Sequence, residues 1–390
     1  MDTVRVGVIG IGNIGSAHAV SIFSGNIKGL QLAAVCDIDA AKRYWAHENL
    51  PNIPIFEQYT DMLNSELINA VIIATPHYLH SDMAINAFEK SLHILTEKPA
   101  GVYTNQVLQM NKAAEQAGTV FGIMFNQRTD PLFQKARDIV QCGQLGKLKR
   151  LVWIITNWYR TQAYYGSSDW RATWFGEGGG VLLNQAPHNL DLWQWLFGMP
   201  ARIRAFCDYG KYHSIEVEDD VTIYAQYDSG ATASFITTTG ECPGTNRLEI
   251  SGDRGKLVIE DGILRLWELP FSEREFCYET NEGFAEPKTA YSEYKPEMSN
   301  SAHNAILQNF TDAILHGAEL IAPGIDGIKQ LSISNAAYLS DWTDNWVDLP
   351  FDDDMFEAML KERAEGSVKH GKTKNKTPKG VYKRRWDVQW

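Results

Sequence analysis

The sequence predicts two unlike halves: an α/β domain built on a parallel sheet, then an α+β domain with a large, mostly antiparallel, open-faced sheet. Three observations carry that expectation. Short β-branched runs alternate with helical patterns from Val4 to Phe125, a series that builds parallel strands with helices on both faces. After Gln127 the alternation gives way to period-2 strands separated by turn residues such as Asp228, Ser229 and Gly230. A chain of 390 residues also exceeds what one hydrophobic core usually serves. The expected units are residues 1–126, residues 127–350, and a C-terminal helix with a basic tail over 351–390.

The formal net charge of -12 argues against a nucleic-acid partner, because phosphate binding needs a basic face. Five scattered cysteines without a C-x-x-C pair fit a reducing compartment and make a cysteine zinc site an unattractive reading. No apolar run reaches the roughly 18 residues of a membrane helix, and the chain enters a strand at once. A cytoplasmic protein with no membrane partner is expected.

In chain order, the strand Val4 to Ile9 leads into Gly10, Gly12 and Gly15, spaced G-x-G-x-x-G with Asn13 and Ile14 between, and then into a helical pattern through Val20. Such glycines make a tight turn, admit a pyrophosphate and let helix and strand pack closely, with phosphate on the helix N-terminus. A second strand, Leu32 to Cys36, ends in Asp37, about 20 residues on, where an acid grips the ribose hydroxyls of NAD and repels the extra phosphate of NADP. Asp37 is alternatively an ordinary strand-end acid, and Lys42 and Arg43 beside it would soften the preference for NAD.

A third strand, Ala70 to Ala74, runs into Thr75, Pro76, His77, Tyr78, Leu79 and His80; a helix follows, then the strand His93 to Thr96 and Glu97-Lys98-Pro99. A helix over about Thr104 to Ala117 precedes the strand Val120 to Phe125. Ligands in parallel sheets bind at the carboxyl ends of strands, where Gly10, Asp37, Thr75, Glu97, Lys98 and Asn126 all fall. His77 and His80 are three apart, but no third ligand lies nearby and no metal is expected.

In the second half, strands are expected over Leu148 to Tyr159, Arg202 to Asp208, Val221 to Tyr227, Ala231 to Thr238, Asn246 to Ser251, Lys256 to Glu260 and Ile263 to Glu268. Between the first two lies a stretch rich in glycine, aromatic and polar residues: Arg160, Tyr164, Trp170, Arg171, Trp174 and Gly176 to Gly180. Aromatic faces pack on the C–H faces of a sugar while arginine and amide groups reach its hydroxyls; the alternative is that the tryptophans fill core. Next come Asn184, Pro187, His188 and Asp191, with a buried stripe of Leu183, Leu190, Trp193 and Phe197. Asp191 either orients His188 or is a solvated helix residue. Helices are expected over about Met298 to Leu315 and Ile325 to Trp346, then an acidic helix over Asp352 to Arg363 and a basic run from Lys369 to Arg385, a solvated tail or an arm on a neighbouring subunit.

Taken together, Gly10 to Gly15, Ala74 to His80 and Glu97-Lys98-Pro99 resemble the N-terminal half of the Gfo/Idh/MocA oxidoreductases, mostly sugar and polyol dehydrogenases, over roughly residues 1 to 345. The resemblance implies a Rossmann first domain and NAD-dependent oxidation of a secondary hydroxyl on a sugar, glycoside or inositol. It makes Lys98 the acid/base, with a proline peptide at Pro99 that is often cis. In that family an aspartate usually stands four residues before the histidine of the second motif. Here Asn184 replaces it, so acid/base work falls on Lys98 with His188, because an amide cannot take a proton.

The expected cofactor contacts are Gly10, Gly12, Asn13, Ile14, Gly15, Asp37, Thr75, Pro76, His80, Glu97, Lys98, Asn126 and Trp174. Substrate is expected against Lys98, Arg128, Arg160, Tyr164, Trp170, Arg171, Asn184 and His188. The resemblance also implies a homo-oligomer, dimer or tetramer, formed through the open sheet face. Two other functions fit the same residues: an NAD-dependent glycosidase that oxidises, eliminates and re-reduces without net cofactor use, and a non-catalytic NAD and sugar sensor.

Overall fold

A computed structural model describes residues 3–296 and 301–367 of the chain. Six strands, β1 (Val4–Ile9), β2 (Leu30–Cys36), β3 (Ile55–Phe56), β4 (Ala70–Ile73), β5 (His93–Thr96) and β6 (Phe121–Ile123), form one sheet in the order β3-β2-β1-β4-β5-β6. Every pairing in it is parallel. Buried on both faces, these strands read as continuous apolar runs: all four residues of β4 are buried. The strand order reverses between β1 and β4, and a crevice opens at the carboxyl ends of strands at such a reversal.

The second sheet has nine strands, β7 (Leu148–Ile155), β8 (Arg202–Tyr209), β9 (Glu218–Gln226), β10 (Thr232–Thr238), β11 (Asn246–Gly252), β12 (Gly255–Glu260), β13 (Ile263–Glu268), β14 (Ala290–Tyr294) and β15 (Val347–Asp348). Their order is β14-β13-β12-β11-β7-β10-β9-β8-β15, antiparallel except where β7 meets β10. Alternation divides the faces. Leu151, Trp153 and Ile155 of β7, with Ala233 and Phe235 of β10, are buried on the helix-covered face, where Phe133 of helix 131–141 packs on Trp153, Trp193 of helix 187–197 stacks on Phe235 and helix 327–343 lies on β8. On the opposite, open face Phe206 and Tyr224 remain exposed.

Two helices from the C-terminal part of the chain pack back on the half that carries the parallel sheet. Helix Ala302–His316 returns to the first domain, where Ser21 Oγ donates to Asn304 Oδ1 (2.8 Å) and the Lys28 N–H to Gln308 Oε1 (2.9 Å). Helix Asp353–Glu365 lies along helix Thr104–Ala117, with Asn105 Nδ2 donating to Asp354 Oδ1 (2.8 Å). The strand expected to run to Tyr159 ends at Ile155, after which Trp158 and Arg160 belong to a loop. Among the described residues no helix is long and apolar enough to cross a membrane. The basic run from Lys369 to Arg385 lies outside the described residues.

Candidate active site

The crevice begins with the glycine turn. Gly10 has φ +87°, and a Cβ there would lie 2.6 Å from the Ala74 carbonyl oxygen, so the turn needs glycine. A Cβ on Gly15 would lie 1.8 Å from the Gly10 oxygen, whereas one on Gly12 would meet nothing within 4 Å. The third glycine therefore allows helix Asn13–Phe23 to close on the strand, and the second leaves open space before that helix's N-terminus. Asp37 accepts the Ile11 N–H on Oδ2 (2.7 Å) and the Asp39 N–H on Oδ1 (2.9 Å), which fixes its carboxylate at the end of β2. Arg43 donates to the carbonyls of Asp37 and Ile38 and pairs with Glu57. Among the described residues Asn126 Oδ1 and His188 Nδ1 are buried without a hydrogen-bond partner. An open glycine turn, a fixed acid and unpaired buried polar atoms together suit a dinucleotide that lies along the strand ends.

Lys98 follows β5, with a cis peptide to Pro99. Its Nζ donates to the backbone oxygen of Asn184 at 2.8 Å, which joins the first sheet to the segment carrying His188. Glu97 turns inward, where its Oε1 lies 2.7 Å from His18 Nε2 and its Oε2 accepts the Lys98 N–H (3.3 Å). Burial pushes the Glu97 carboxyl up, but the His18 hydrogen bond and the positive neighbours outweigh it and hold the group at about 2. His303, from helix 302–316, completes this cluster, and burial lowers it to about 4. His188 is 8% exposed, at the start of helix Pro187–Phe197, and burial with the charge of Lys98 lowers it well below the ordinary histidine range, so its ring is neutral.

A depressed carboxyl contributes stability above about pH 4.5 that is lost as pH falls towards 2. His18→Ala is therefore expected to cost about 2–3 kcal/mol at pH 7, the range for a hydrogen bond to a charged group. Urea unfolding across pH should show that deficit shrinking between pH 4.5 and 2, as Glu97 takes up a proton in both proteins. A deficit independent of pH would mean that His18 acts through packing alone.

The loop between β7 and β8 forms the opposite wall. The hydroxyl oxygen of Tyr164 accepts from Arg171 Nη1 (2.6 Å), Asn184 Nδ2 (3.2 Å) and Gln185 Nε2 (3.2 Å). The Arg171 guanidinium lies over the rings of Tyr164 (4.4 Å) and Trp170 (4.9 Å), and Arg160 lies over Tyr164 at 5.2 Å. Tyr78 ties this wall to the first domain by donating to the Trp174 carbonyl (2.8 Å), as does His77 Nδ1, 3.0 Å from the Glu177 carbonyl.

Several expected site residues have other work. Arg128 is 1% exposed and places both arms on Asp191 (2.8 and 2.6 Å), with Nη1 on Asp326 (2.9 Å) and the Ile321 carbonyl (3.2 Å). These bonds hold the guanidinium inside the framework. Asp191 accordingly neither orients His188 nor faces solvent. Trp174 is buried among Tyr209, Tyr338 and Trp342, with its indole N–H on the Glu216 carbonyl (3.1 Å), so it packs as core of the second domain. The ring nitrogens of His80 lie 2.8 Å from the carbonyls of Pro99 and Thr75, so the ring braces two loops.

Three buried groups escaped the sequence reading: His18, His303 and Glu177. Of these, Glu177 alone left a local trace, an acid inside a glycine run six residues after Arg171 and seven before Asn184.

The model of an oxidoreductase family with an NAD-binding Rossmann fold, GFO_IDH_MocA, matches residues 4–125, and the model of the GFO/IDH/MocA C-terminal domain matches residues 133–258. The rhizopine catabolism protein MocA of Rhizobium meliloti is 25% identical over 338 residues, 86% of this chain and 95% of that one. The scyllo-inositol 2-dehydrogenase (NAD(+)) of Bacillus subtilis is 25% identical over 344 residues, 86% of this chain and 93% of that one. The WlbA dehydrogenase of Bordetella pertussis, solved with NADH and UDP-GlcNAcA, shares the fold with a TM-score of 0.75 at 24% identity, over 90% of this chain and 100% of that one.

Proposed function

The chain belongs to the Gfo/Idh/MocA oxidoreductase family, and from that premise we propose that it is an NAD-dependent dehydrogenase oxidising a secondary hydroxyl of a sugar, glycoside or inositol. The observation that carries this reading is the 2.8 Å contact of Lys98 Nζ with the Asn184 carbonyl. It brings the lysine at the end of β5 onto the segment that holds His188, beside the crevice of Gly10, Gly15 and Asp37.

The glycine turn, Asp37 and Asn126 would hold NAD, which supplies the hydride acceptor. Lys98, as the neutral amine, takes the hydroxyl proton as the C–H bond breaks. His188 is neutral and its Nδ1 is unpaired, so it hydrogen-bonds the same oxygen and steadies the charge that develops there. The wall of Tyr164, Trp170, Arg160 and Arg171 orients the remaining hydroxyls. Inositol chemistry is favoured by the scyllo-inositol dehydrogenase among the relatives. The open face of the second sheet, with Phe206 and Tyr224 exposed, supports assembly into a homo-oligomer.

The test is a panel of free sugars, glycosides, uronates and inositols incubated with NAD. A dehydrogenase forms one NADH per product molecule. Release of an aglycone with no net NADH would replace this reading by oxidation, elimination and re-reduction, and binding without turnover would replace it by a sensor. Cofactor choice has its own test: Asp37→Ser is expected to raise the KM for NAD by roughly 10- to 100-fold, the worth of a charge-assisted hydrogen bond, while the KM for NADP does not rise. An equal rise for both cofactors would show that Asp37 only braces the turn.

A further inference from the structure

A buried acid stands behind the side-chain amide of Asn184. Glu177 is 1% exposed. Its Oε2 accepts the Ala172 N–H at 2.6 Å, and its Oε1 accepts from the Asn184 side-chain amide, with Arg171 Nη1 3.5 Å away. The amide nitrogen of Asn184 carries two N–H donors, and both have acceptors in the protein: Glu177 and the Tyr164 hydroxyl at 3.2 Å. Lys98 meanwhile grips the backbone oxygen of the same residue. The amide therefore has one orientation available. Its Oδ1 faces away from Glu177 and accepts no hydrogen bond from any described residue.

We propose that Glu177 is a positioning residue that locks Asn184 so that its side-chain oxygen faces the reacting carbon and accepts the substrate O–H. The carboxylate stands one residue further from the substrate, with an amide between the two. Besides Asn184, the charged and titratable groups that face Glu177 are Arg171, Lys98 and Tyr165, and His77 holds its backbone oxygen.

A consequence follows from the contact. An acid at position 184 would place two carboxylates within hydrogen-bond distance, and such a pair must share a proton. Exchanging the two groups, Glu177→Gln together with Asn184→Asp, restores one acid and one amide. The introduced glutamine would accept the Ala172 N–H on its oxygen and donate from its nitrogen to the introduced aspartate. The exchange separates this proposal from a loop brace, because a brace gains nothing from an acid at position 184.

The test compares the wild type, Glu177→Gln, Asn184→Asp and the double variant, each full-length and saturated with NAD. The catalytic readout rests on the dehydrogenase reading and uses whichever panel polyol the wild type oxidises. Each single variant is expected to lose on the order of 10- to 100-fold in kcat with a smaller change in KM, and the double to recover at least tenfold over either single. Melting temperature supplies a readout that needs no substrate. Asn184→Asp alone should melt lower as pH rises from 6 to about 8, and adding Glu177→Gln should remove that slope.

Additive kinetics together with additive melting would overturn the proposal. Coupled melting with no recovery of kcat would also overturn it, reducing Glu177 to a brace. If the wild type oxidises no polyol yet the melting coupling holds, the dehydrogenase reading fails while the hold of Glu177 on Asn184 stands.

Discussion

Lys98→Ala is expected to lower kcat on the order of 10³-fold, the scale of losing a positioned acid/base group, while NAD affinity stays within about threefold. The cofactor crevice is built by Gly10, Gly15 and Asp37, at strand ends that do not depend on the Lys98 ammonium for their geometry. In the proposed reaction the chemistry does depend on it, because the carboxylates nearest the site are otherwise engaged: Glu97 by His18 and Glu177 by Ala172 and Asn184. Neutral His188 remains to steady the oxygen, so a residual rate is expected. Lys98→Arg separates two roles of the lysine. It keeps the positive charge and a donor for the Asn184 carbonyl, but a guanidinium does not give up its proton at ordinary pH. If Lys98 is the base, the arginine variant should be nearly as slow as the alanine variant. If it only anchors Asn184, arginine should rescue most of the rate. Single-turnover NADH formation and titration of NAD binding would decide, and a Lys98→Ala protein within tenfold of wild type would remove Lys98 from the mechanism.

What was legible in the sequence follows from the range of the interactions involved. The parallel sheet and most strands of the second sheet are written in local periodicity, and the crevice at the β1/β4 reversal is marked by glycines that physically cannot be larger. Elements without a buried stripe were not legible. All five residues of β14 are exposed, and helix Glu273–Glu279 buries none of its residues, so neither carries a hydrophobic period. The two-residue strands β3 and β15 are too short to show one.

Within the candidate site, the strand-end residues are legible as positions, because the topology of a parallel sheet puts them at the crevice. Partnerships across long separations were not: His18 lies 79 residues from Glu97, and Arg128 lies 63 from Asp191. No local pattern distinguishes an arginine that reads substrate hydroxyls from one buried against two carboxylates. Arg128 and Trp174 are both buried and tied into the framework, and nothing in their local sequence announces it.

Arg128→Ala is accordingly expected to act first on stability, with a loss of about 3–5 kcal/mol, the cost of leaving buried charge without its partner. The guanidinium joins three segments: the single helical turn 126–129 at the end of the first sheet, the helix carrying His188 through Asp191, and the turn before helix 327–343 through Asp326. Phe125 and Trp195 flank it at 5.4 and 5.6 Å, so little water can replace it. Removing the arginine strands the carboxylate of Asp191 on the helix that also carries His188. Replacing both partners by apolar groups, as in Arg128→Met with Asp191→Leu, removes the stranded charge and should recover part of the loss, giving a coupling of about 1–3 kcal/mol in a double-mutant cycle read by urea unfolding. A substrate-binding arginine behaves differently: its loss would raise KM in a protein of nearly unchanged stability, and the change at Asp191 would not compensate. Stability and KM measured on the same set of variants therefore separate a structural tie from a binding contact at this residue.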